Sequence, residues 1–259
     1  MGIKVYATSR MMDSASAGVI VDRIRTKGNS VIGLSTGRTT GLVHKAVCDS
    51  FRQNPFDVSQ VTFFGLDEVT GVPREYSGSC YTMLKREIID GLGIPDENFL
   101  MLPTFSEDFS RTCREFTQEL ERRGGIDLLY LGLGDNGHLG FNQPGSPFGC
   151  TARTSYMMKE LEQRIRRETG LGEDAPLGGI TLGLKDIMHS KKLVLGAKGY
   201  SKAAMVKAMI EGPVTEDIPA SVLQLHPDCT VLLDSEAASM LAPGSFEISG
   251  SGLIGPDHN

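Results

Sequence analysis

The sequence of 259 residues contains few cysteines and no recognisable cysteine pattern. Its five cysteines are scattered and odd in number, and none of them forms a Cys-x-x-Cys pair. This usage is typical of free thiols in a reducing compartment, and it provides neither a zinc signature nor a disulfide framework. We therefore predict no metal site and no disulfide-stabilised secreted domain.

Long apolar runs are also missing from the sequence. No run is long enough to span a bilayer, and residues 1–7 lack the continuous apolar core of a secretory signal. The net charge of −6 argues against a general binder of nucleic acid or of a membrane surface. We expect a cytoplasmic protein, in which an anionic ligand would need a local basic pocket.

The two common nucleotide-binding motifs are absent as well. Neither Gly-x-x-x-x-Gly-Lys-[Ser/Thr] nor Gly-x-Gly-x-x-Gly follows the apolar strand predicted over 31–34, so no nucleotide cofactor is indicated. A hydroxyl-rich turn stands there instead, formed by Ser35, Thr36, Gly37, Arg38 and Thr39. Backbone N–H groups and hydroxyls at a helix N-terminus make an anion site, but the same residues can simply cap the helix. The pattern favours neither interpretation.

Strands and helices alternate along almost the whole chain. Apolar periodicity predicts helices over 11–27, 42–51, 79–89, 105–123, 185–189, 201–211, 220–225 and 235–241. It predicts strands over 3–6, 31–34, 61–66, 128–133, 179–184, 192–195 and 230–233. This alternation predicts an α/β fold with three layers, α/β/α, and a mostly parallel sheet. We expect one domain over 1–242 and a tail rich in Gly, Ser and Pro over 243–259.

The most informative stretch follows the strand predicted over 128–133. A glycine-rich turn leads to His138 and then to two amides, Asn142 and Gln143. Open α/β sheets bind ligands at the carboxyl edge, where such a turn lies. A lone histidine near a strand end is more often a hydrogen-bonded structural residue, so this stretch alone does not establish catalysis.

An acidic pair, Asp67 and Glu68, follows the predicted strand over 61–66. That strand is apolar nearly throughout, which is typical of a central strand buried on both faces. A carboxylate at its carboxyl end can have a raised pKa and act as a base. The alternative is an ordinary solvated turn.

Two basic features complete the candidate site. Residues 145–177 are predicted to be the least regular part of the chain, and a lid there could carry the cluster Arg164, Arg166 and Arg167. The alternative for this cluster is a solvated helix face. Lys202 lies in the first turn of a predicted helix, where a cation is disfavoured unless an anion binds beside it.

Five motifs in order resemble the glucosamine-6-phosphate deaminase (isomerase) family, including its galactosamine-6-phosphate isomerase branch. The related 6-phosphogluconolactonases share the superfamily. The resemblance extends over about 31–233, and it rests on the following stretches: Leu34-Ser35-Thr36-Gly37-Arg38-Thr39, Phe64-Gly65-Leu66-Asp67-Glu68, Leu131-Gly132-Leu133-Gly134-Asp135-Asn136-Gly137-His138-Leu139-Gly140-Phe141-Asn142-Gln143-Pro144, Gly179-Ile180-Thr181-Leu182-Gly183 and Ile218-Pro219-Ala220-Ser221-Val222-Leu223-Gln224-Leu225-His226-Pro227.

The resemblance implies conversion of a 2-amino-2-deoxyhexose 6-phosphate into a ketose 6-phosphate and ammonia, with no redox cofactor and no required metal. It implies that Asp67 is the base that moves a proton between C2 and C1, and that His138 assists ring opening. The phosphate site would comprise the turn from Ser35 to Thr39, Lys202 and an arginine that falls near Arg167. Gly137, in the motif that carries His138, is also expected to bind the substrate or its phosphate. A small-molecule sugar phosphate is the implied partner, and the family's homo-oligomers predict a homo-oligomer.

Three departures from the family pattern bear on activity. Asn136 stands where the deaminases have the aspartate that orients the histidine; the galactosamine branch also has asparagine there. Gln143 replaces the glutamate of Asn-Glu-Pro, and an amide cannot titrate. Arg38 replaces the second glycine of the Thr-Gly-Gly-Thr turn. Asn136 can hold His138 in one tautomer, but it cannot stabilise imidazolium as a carboxylate would.

Three hypotheses follow from these patterns. The first is an aminosugar-6-phosphate isomerase/deaminase, of the galactosamine or the glucosamine type. The second is a lactonase-like sugar-phosphate hydrolase in which His138 activates water. The third is a catalytically impaired sugar-phosphate-binding regulator, against which the retention of Asp67 and His138 argues.

Overall fold

A sheet of parallel strands forms the middle layer of the computed structural model, which describes residues 1–249. Within that range the strands are β1 (Gly2–Tyr6), β2 (Val31–Leu34), β3 (Thr62–Gly65), β4 (Asp67–Thr70), β5 (Phe99–Leu100), β6 (Leu128–Gly132), β7 (Arg153–Ser155), β8 (Gly178–Thr181), β9 (Leu193–Ala197), β10 (Cys229–Asp234) and β11 (Glu247–Ile248). Eight of them form the main sheet, in the order β11-β1-β10-β9-β6-β2-β3-β5, and every pair is parallel.

Helices cover both faces of the main sheet. In residues 1–249 they are α1 (Ser9–Thr26), α2 (Arg38–Gln53), α3 (Cys80–Leu84), α4 (Asp90–Leu92), α5 (Phe109–Arg122), α6 (Lys159–Thr169), α7 (Leu184–Met188) and α8 (Ala203–Glu211). A π-helical segment, Lys85–Ile89, joins α3 to α4. Short 3-10 helices lie at Asp96–Asn98, Tyr200–Lys202 and Pro219–Leu225.

Two hydrophobic cores flank the central strands. In β6, Leu128 and Tyr130 belong to the core under α1 and α2, whereas Leu129 and Leu131 belong to the core under α5 and α8. Successive side chains of a strand point to opposite faces, so this alternation requires apolar residues at every position. The predicted three-layer α/β/α fold with a mostly parallel sheet is confirmed.

The strand order reverses between β2 and β6, which are neighbours near the centre. The chain runs from β2 to β3 and β5 on one side, and from β6 to β9 and β10 on the other. The loops that follow β2 and β6 therefore leave the sheet in opposite directions and open a crevice between them. Such a reversal point is where open α/β sheets bind ligands.

A second, antiparallel sheet lies beside this crevice, in the order β4-β8-β7. The strand predicted over 179–184 is present as β8, but it belongs to this small sheet. Asp67 opens β4 opposite Thr181, and Glu68 is completely buried. The alternative of a solvated acidic turn is therefore wrong.

Three helix predictions need correction. The stretch 235–241 forms turns rather than a helix; it is short and ends near Pro243, which cannot continue a helix. α2 begins at Arg38 rather than residue 42, since Gly37 supplies the φ of +143° that turns the chain into the helix. α5 begins at Phe109 rather than residue 105, because the Asp108 carboxylate accepts the Arg111 N–H and caps it.

The stretch 145–177 is more regular than predicted, because it contains β7 and α6. β7 is three residues long and depends on pairing with β8, a long-range contact that local periodicity cannot reveal. In the tail, β11 pairs with β1, and residues 250–259 lie outside the described range. The domain division at residue 242 stays a prediction.

Candidate active site

A cleft of about 480 Å³ lies over the carboxyl ends of the central strands. Four strands lead into it, so residues far apart in sequence meet there. Its lining comes from the segments after β2, β3, β6 and β9: Ser35, Thr36, Gly37, Arg38, Thr39, Thr40, Asp67, Gly132, Leu133, Gly134, Asp135, His138, Gly140, Lys198, Ser201 and Lys202.

The hydroxyl-rich turn places an uncapped helix N-terminus in this cleft. Within residues 1–249, no side chain caps the N-terminus of α2. The Ser35 hydroxyl instead accepts the Gly132 N–H at 3.0 Å and donates to the Tyr130 carbonyl at 3.1 Å, which ties β2 to β6. The first N–H groups of α2 are therefore not used by a cap, and the anion-site interpretation is favoured over the cap.

Three cationic side chains line the same cleft. The Lys198 ammonium pairs with Asp13, at 2.8 and 2.9 Å from its two carboxylate oxygens. The Lys202 ammonium donates to the Leu133 carbonyl at 2.7 Å and also pairs with the Asp135 carboxylate. Arg38 is exposed at the start of α2. The net negative chain thus has the local basic pocket that an anionic ligand requires.

Asp67 is a buried carboxylate in the cleft. Burial and, to a smaller extent, the neighbouring Glu68 charge raise its pKa, and a hydrogen bond from Cys80 lowers it; the net result is a pKa of about 7. The Cys80 thiol lies 3.6 Å from the Asp67 carboxylate and 3.3 Å from the Thr36 hydroxyl. A carboxylate with a pKa near 7 can both accept and return a proton at neutral pH.

Glu68 fixes the position of the segment that carries Asp67. Its carboxylate accepts the backbone N–H groups of Val69, Cys80 and Tyr81, at 2.7 to 2.8 Å. Two of these N–H groups belong to the first turn of α3, so Glu68 joins β4 to that helix. Burial raises the pKa of Glu68, and these three hydrogen bonds lower it.

His138 is held by an amide relay. The Asn136 side-chain oxygen contacts the His138 backbone N–H at 3.2 Å and the ring Nδ1 at 2.7 Å. A backbone N–H can only donate, so the contacting atom of Asn136 is its oxygen, and Nδ1 must carry the proton. Nε2 is then the free basic nitrogen of the neutral ring. The Asn136 amide donates in turn to Gln143 at 3.2 Å.

The surroundings keep His138 neutral. Burial lowers its pKa, the Lys202 charge lowers it further, and the Asp135 charge opposes both. Asn136 carries no charge that would stabilise imidazolium. The site therefore presents a neutral imidazole base beside a carboxylate whose pKa is raised.

Gly140 allows the loop after His138 to pass close to Asp67. Its φ is +57°, and a Cβ atom there would lie 2.7 Å from the Thr181 hydroxyl and 3.3 Å from the Asp67 carboxylate. Any residue with a Cβ atom would be strained by this φ, and its Cβ would collide with Thr181 in the small antiparallel sheet. The glycine thus permits the loop and the carboxylate to share one wall of the cleft.

Comparison with known proteins identifies the family. The family model described as Glucosamine-6-phosphate isomerases/6-phosphogluconolactonase matches residues 7–232, which is most of the chain. The chain belongs to this family of enzymes. A relative from Thermoanaerobacter pseudethanolicus (strain ATCC 33223 / 39E), named glucosamine-6-phosphate deaminase, is 35% identical over 241 residues. That match covers 93% of this chain and 95% of the relative.

Further members of the glucosamine-6-phosphate isomerase/6-phosphogluconolactonase family give the same result. A glucosamine-6-phosphate deaminase of Clostridium botulinum (strain Loch Maree / Type A3) is 35% identical over 242 residues, covering 93% of this chain and 99% of that protein. A solved monomeric glucosamine-6-phosphate deaminase matches with a TM-score of 0.85 at 29% identity, covering 93% and 100% of the two chains. A 6-phosphogluconolactonase from Trypanosoma brucei matches with a TM-score of 0.74 at 20% identity, over 93% and 98%, which shows a shared fold alone.

The structure brings most of the predicted site residues of this family member together. Asp67, His138, Lys202 and the turn from Ser35 to Thr39 line one cleft. Asn136 and Gln143 lie behind His138 as its hydrogen-bonded support. Gly137 is buried in the turn between them, with a φ of +82°.

Arg167 is not among the residues that line the cleft. It is exposed on α6, near Arg164, which is also exposed. Arg166 instead donates to Glu162 and to the carbonyls of the loop after α6, so it stabilises that loop. The assignment of a phosphate-binding arginine to this cluster stays a prediction.

Some residues in or beside the cleft have no role assigned from the sequence. Lys198 and Ser201 flank the segment that carries Lys202, and their position after the apolar strand β9 was an available signal. Cys80 had no such signal, because its contacts with Thr36 and Asp67 are made only in the folded chain.

Within residues 1–249, no group of three or more His, Cys, Asp or Glu side chains could hold a metal ion. Over the same range, no helix is both long enough and apolar enough to cross a membrane.

Proposed function

We propose that this enzyme converts an aminosugar 6-phosphate into a ketose 6-phosphate and ammonia. One observation carries the proposal: Asp67, whose pKa is raised to about 7, and the neutral base His138 line one cleft with an uncapped helix N-terminus and lysines. The cleft thus offers a proton-transfer base, a ring-opening base and an anion site. The names of relatives at 35% identity support the same reaction.

The phosphate is proposed to bind at the N-terminus of α2. Backbone N–H groups of the turn after β2 would donate to its oxygens, and Lys202 and Arg38 would supply positive charge. Arg38 suits this role because it occupies the first helical position, where its side chain adds a cation to a site made largely of backbone. This contact would fix the sugar chain so that its reacting carbons lie near Asp67 and His138.

His138 is proposed to open the sugar ring. Its Nε2 would accept the proton of the anomeric hydroxyl as the bond from C1 to the ring oxygen breaks. The resulting imidazolium would return that proton to the ring oxygen, which gives the open aldehyde. The Nδ1 proton stays on its hydrogen bond to Asn136 throughout, so the ring does not change tautomer.

Asp67 is proposed to move the proton from C2 to C1. Its carboxylate would remove the C2 proton while the C1 carbonyl oxygen takes a proton from the ammonium group of the substrate, which gives an enolamine; Asp67 would then deliver the proton it took from C2 to C1, which gives a protonated ketimine. Addition of water at C2 and loss of the amine then gives the ketose 6-phosphate and ammonia. A base of pKa about 7 suits both halves of this transfer.

Two substrates fit this proposal and differ at the C4 hydroxyl. The names of the relatives favour glucosamine 6-phosphate. Asn136, which the galactosamine branch also has at this position, favours galactosamine 6-phosphate. We propose one of these two sugars as the substrate, and a direct comparison of their rates decides between them.

A 6-phosphogluconolactonase-like hydrolase is the second candidate, because His138 with a free Nε2 could activate water. The third is a regulator that binds the sugar phosphate without turnover, since Asn136 and Gln143 are amides at positions where the deaminases have carboxylates. The continuation Phe141-Asn142-Gln143-Pro144 favours the deaminase over the hydrolase, and the retention of Asp67 and His138 favours it over the regulator.

The test is a substrate panel. Purified protein is incubated with glucosamine 6-phosphate, galactosamine 6-phosphate or 6-phosphogluconolactone. The release of ammonia, of ketose 6-phosphate and of acid is measured in each case. We expect ammonia and ketose in equal amounts from one aminosugar phosphate, and no acceleration of lactone opening. Lactone hydrolysis without ammonia release would overturn the proposal in favour of the hydrolase, and binding without either product would favour the regulator.

We also propose an oligomeric state and a cellular location. We keep the homo-oligomer and the cytoplasmic location implied by the resemblance and by the composition. Light scattering of the full chain measures the first, and fractionation of the source cells measures the second.

A further inference from the structure

Lys202 has an anionic partner inside the phosphate site. Its ammonium donates to the Leu133 carbonyl at 2.7 Å and pairs with the carboxylate of Asp135. Both side chains line the cleft together with Arg38 and the turn after β2. The Asp135 carboxylate therefore lies among the hydrogen-bond donors and cations that are proposed to bind the phosphate.

The two partners of Lys202 differ in how firmly they are held. The Leu133 carbonyl belongs to the backbone directly after β6. It can separate from the lysine only if the end of β6 moves. The Asp135 side chain is 76% exposed, whereas the Lys202 side chain is only 16% exposed. An exposed ion pair contributes little stability and exchanges partners easily. The lysine is thus fixed by the carbonyl, and the carboxylate is free to leave.

The charge of Asp135 acts on the whole phosphate site. The hydrogen bond from Lys202 lowers its pKa most, and the charges of Lys202 and Arg38 lower it further against the effect of burial. The carboxylate is therefore ionised at neutral pH and interacts with the same cations that a phosphate would use. An anion in this position competes with a second anion for the same donors.

We propose that Asp135 is an affinity-determining residue that occupies Lys202 in the free protein and must release it to the phosphate of the substrate. The inference rests on the phosphate-binding part of the proposed function. Substrate binding is then an exchange of one anion for another on a lysine that does not move. Asp135 weakens binding of the phosphate, and it also favours release of the phosphorylated product.

Isothermal titration with inorganic phosphate at low salt tests this inference. Asp135→Asn keeps the size of the side chain and removes its charge, so we expect the dissociation constant for phosphate to fall about three- to ten-fold. Asp22→Asn is the matched control, because Asp22 is an exposed residue of α1 outside the cleft and its replacement changes the net charge equally. That control should leave the dissociation constant unchanged.

A double-mutant cycle with Lys202→Met separates competition for the lysine from general repulsion. If Asp135 competes for Lys202, the gain from Asp135→Asn shrinks strongly when the lysine is absent. Weaker phosphate binding by Asp135→Asn would mean that Asp135 positions the lysine, and it would overturn the inference. An equal gain in both backgrounds would overturn it too, because repulsion would then act without Lys202.

Failure of this inference can be distinguished from failure of the proposed function. Ammonia release without tighter phosphate binding by Asp135→Asn defeats this inference alone. Tighter phosphate binding that depends on Lys202, in a protein that releases no ammonia from either sugar, supports this inference and defeats the proposed reaction. Absence of phosphate binding in both wild type and Asp135→Asn defeats the inference and removes the proposed phosphate site.

Discussion

At the scale of single residues, the chemistry depends on how two side chains are kept in their reactive protonation states. Asp67 has a pKa of about 7 because burial and the Glu68 charge outweigh the hydrogen bond from Cys80. His138 has a lowered pKa because burial and Lys202 outweigh Asp135. Above pH 7, Asp67 is charged and His138 is neutral, so both are bases. We expect activity to rise with pH through a midpoint near 7.

Cys80 is predicted to set that midpoint. Its thiol has a strongly raised pKa because of burial, so it stays protonated and can donate to Asp67. Cys80→Ala removes the donor, raises the pKa of Asp67 and should lower the rate at pH 6 by about two- to five-fold. The rate above pH 8.5 should change less. Cys80→Ser, which keeps a donor, should stay close to wild type, and an identical pH profile for Cys80→Ala would contradict the role.

Asn136 is predicted to control the basicity of His138. Asn136→Asp places a negative charge beside the protonated Nδ1, so it should raise the pKa of the ring by about one unit. Asn136→Ala removes the acceptor and should lower kcat by about 10- to 100-fold, because the ring loses its fixed tautomer. NMR titration of His138 measures the first effect and steady-state kinetics the second. A pKa that does not respond to Asn136→Asp would refute the relay.

At the scale of secondary-structure elements, Glu68 joins β4 to α3 through three backbone N–H groups. Glu68→Ala leaves those donors buried without a partner and should lower the free energy of unfolding by about 3 kcal/mol. Urea denaturation measures the loss. Because Asp67 precedes Glu68 on the same strand, the rate of ammonia release should fall as well. Glu75→Ala, at an exposed site in the following loop, serves as the control.

The strands that lead into the cleft could be predicted from the sequence, whereas two of the three strands of the small antiparallel sheet could not. β2, β3, β6 and β9 are buried on both faces, so each is a continuous apolar run that periodicity detects. β4 and β7 exist because each pairs with β8, and short strands of this kind have no sequence signal of their own, whereas β8 corresponds to the strand predicted over 179–184.

The site residues likewise divide into those with a local sequence signal and those whose contacts form only in the folded chain. Asp67, His138 and the hydroxyl turn directly follow predicted strands, so the rule for the carboxyl edge of a sheet places them together. The pairing of Lys202 with Asp135 and the contact of Cys80 with Asp67 depend on side-chain geometry across loops. No pattern in the sequence contains that information.

At the scale of the whole molecule, Asp127 joins the ends of the central strands opposite the cleft. It is 2% exposed and binds Lys27, Lys191 and the Val31 N–H. Burial raises its pKa, but the hydrogen bonds from Lys191, Lys27 and Val31 outweigh this effect and lower it. A carboxylate whose folded pKa is lowered contributes stability above its unfolded pKa and loses it as the pH falls through the folded pKa.

We therefore expect the free energy of unfolding to decrease as the pH falls below about 3.8, the unfolded value of Asp127. Asp127→Asn should cost about 3 kcal/mol at pH 7, because two lysines lose their partner, and it should flatten the acid dependence. Urea titrations between pH 2 and pH 7 measure both. An unchanged slope in the variant would show that other carboxylates cause the acid sensitivity.

The decisive measurement for the whole molecule is the rate of ammonia release by wild type and by Asp67→Asn, with both aminosugar phosphates at pH 7.5. If the cleft works as proposed, wild type releases ammonia from one sugar, and Asp67→Asn loses at least about a thousand-fold in rate while it still binds inorganic phosphate. Ammonia release by Asp67→Asn at the wild-type rate would contradict the assignment of this carboxylate as the base. Absence of release by wild type from either sugar would contradict the reaction itself.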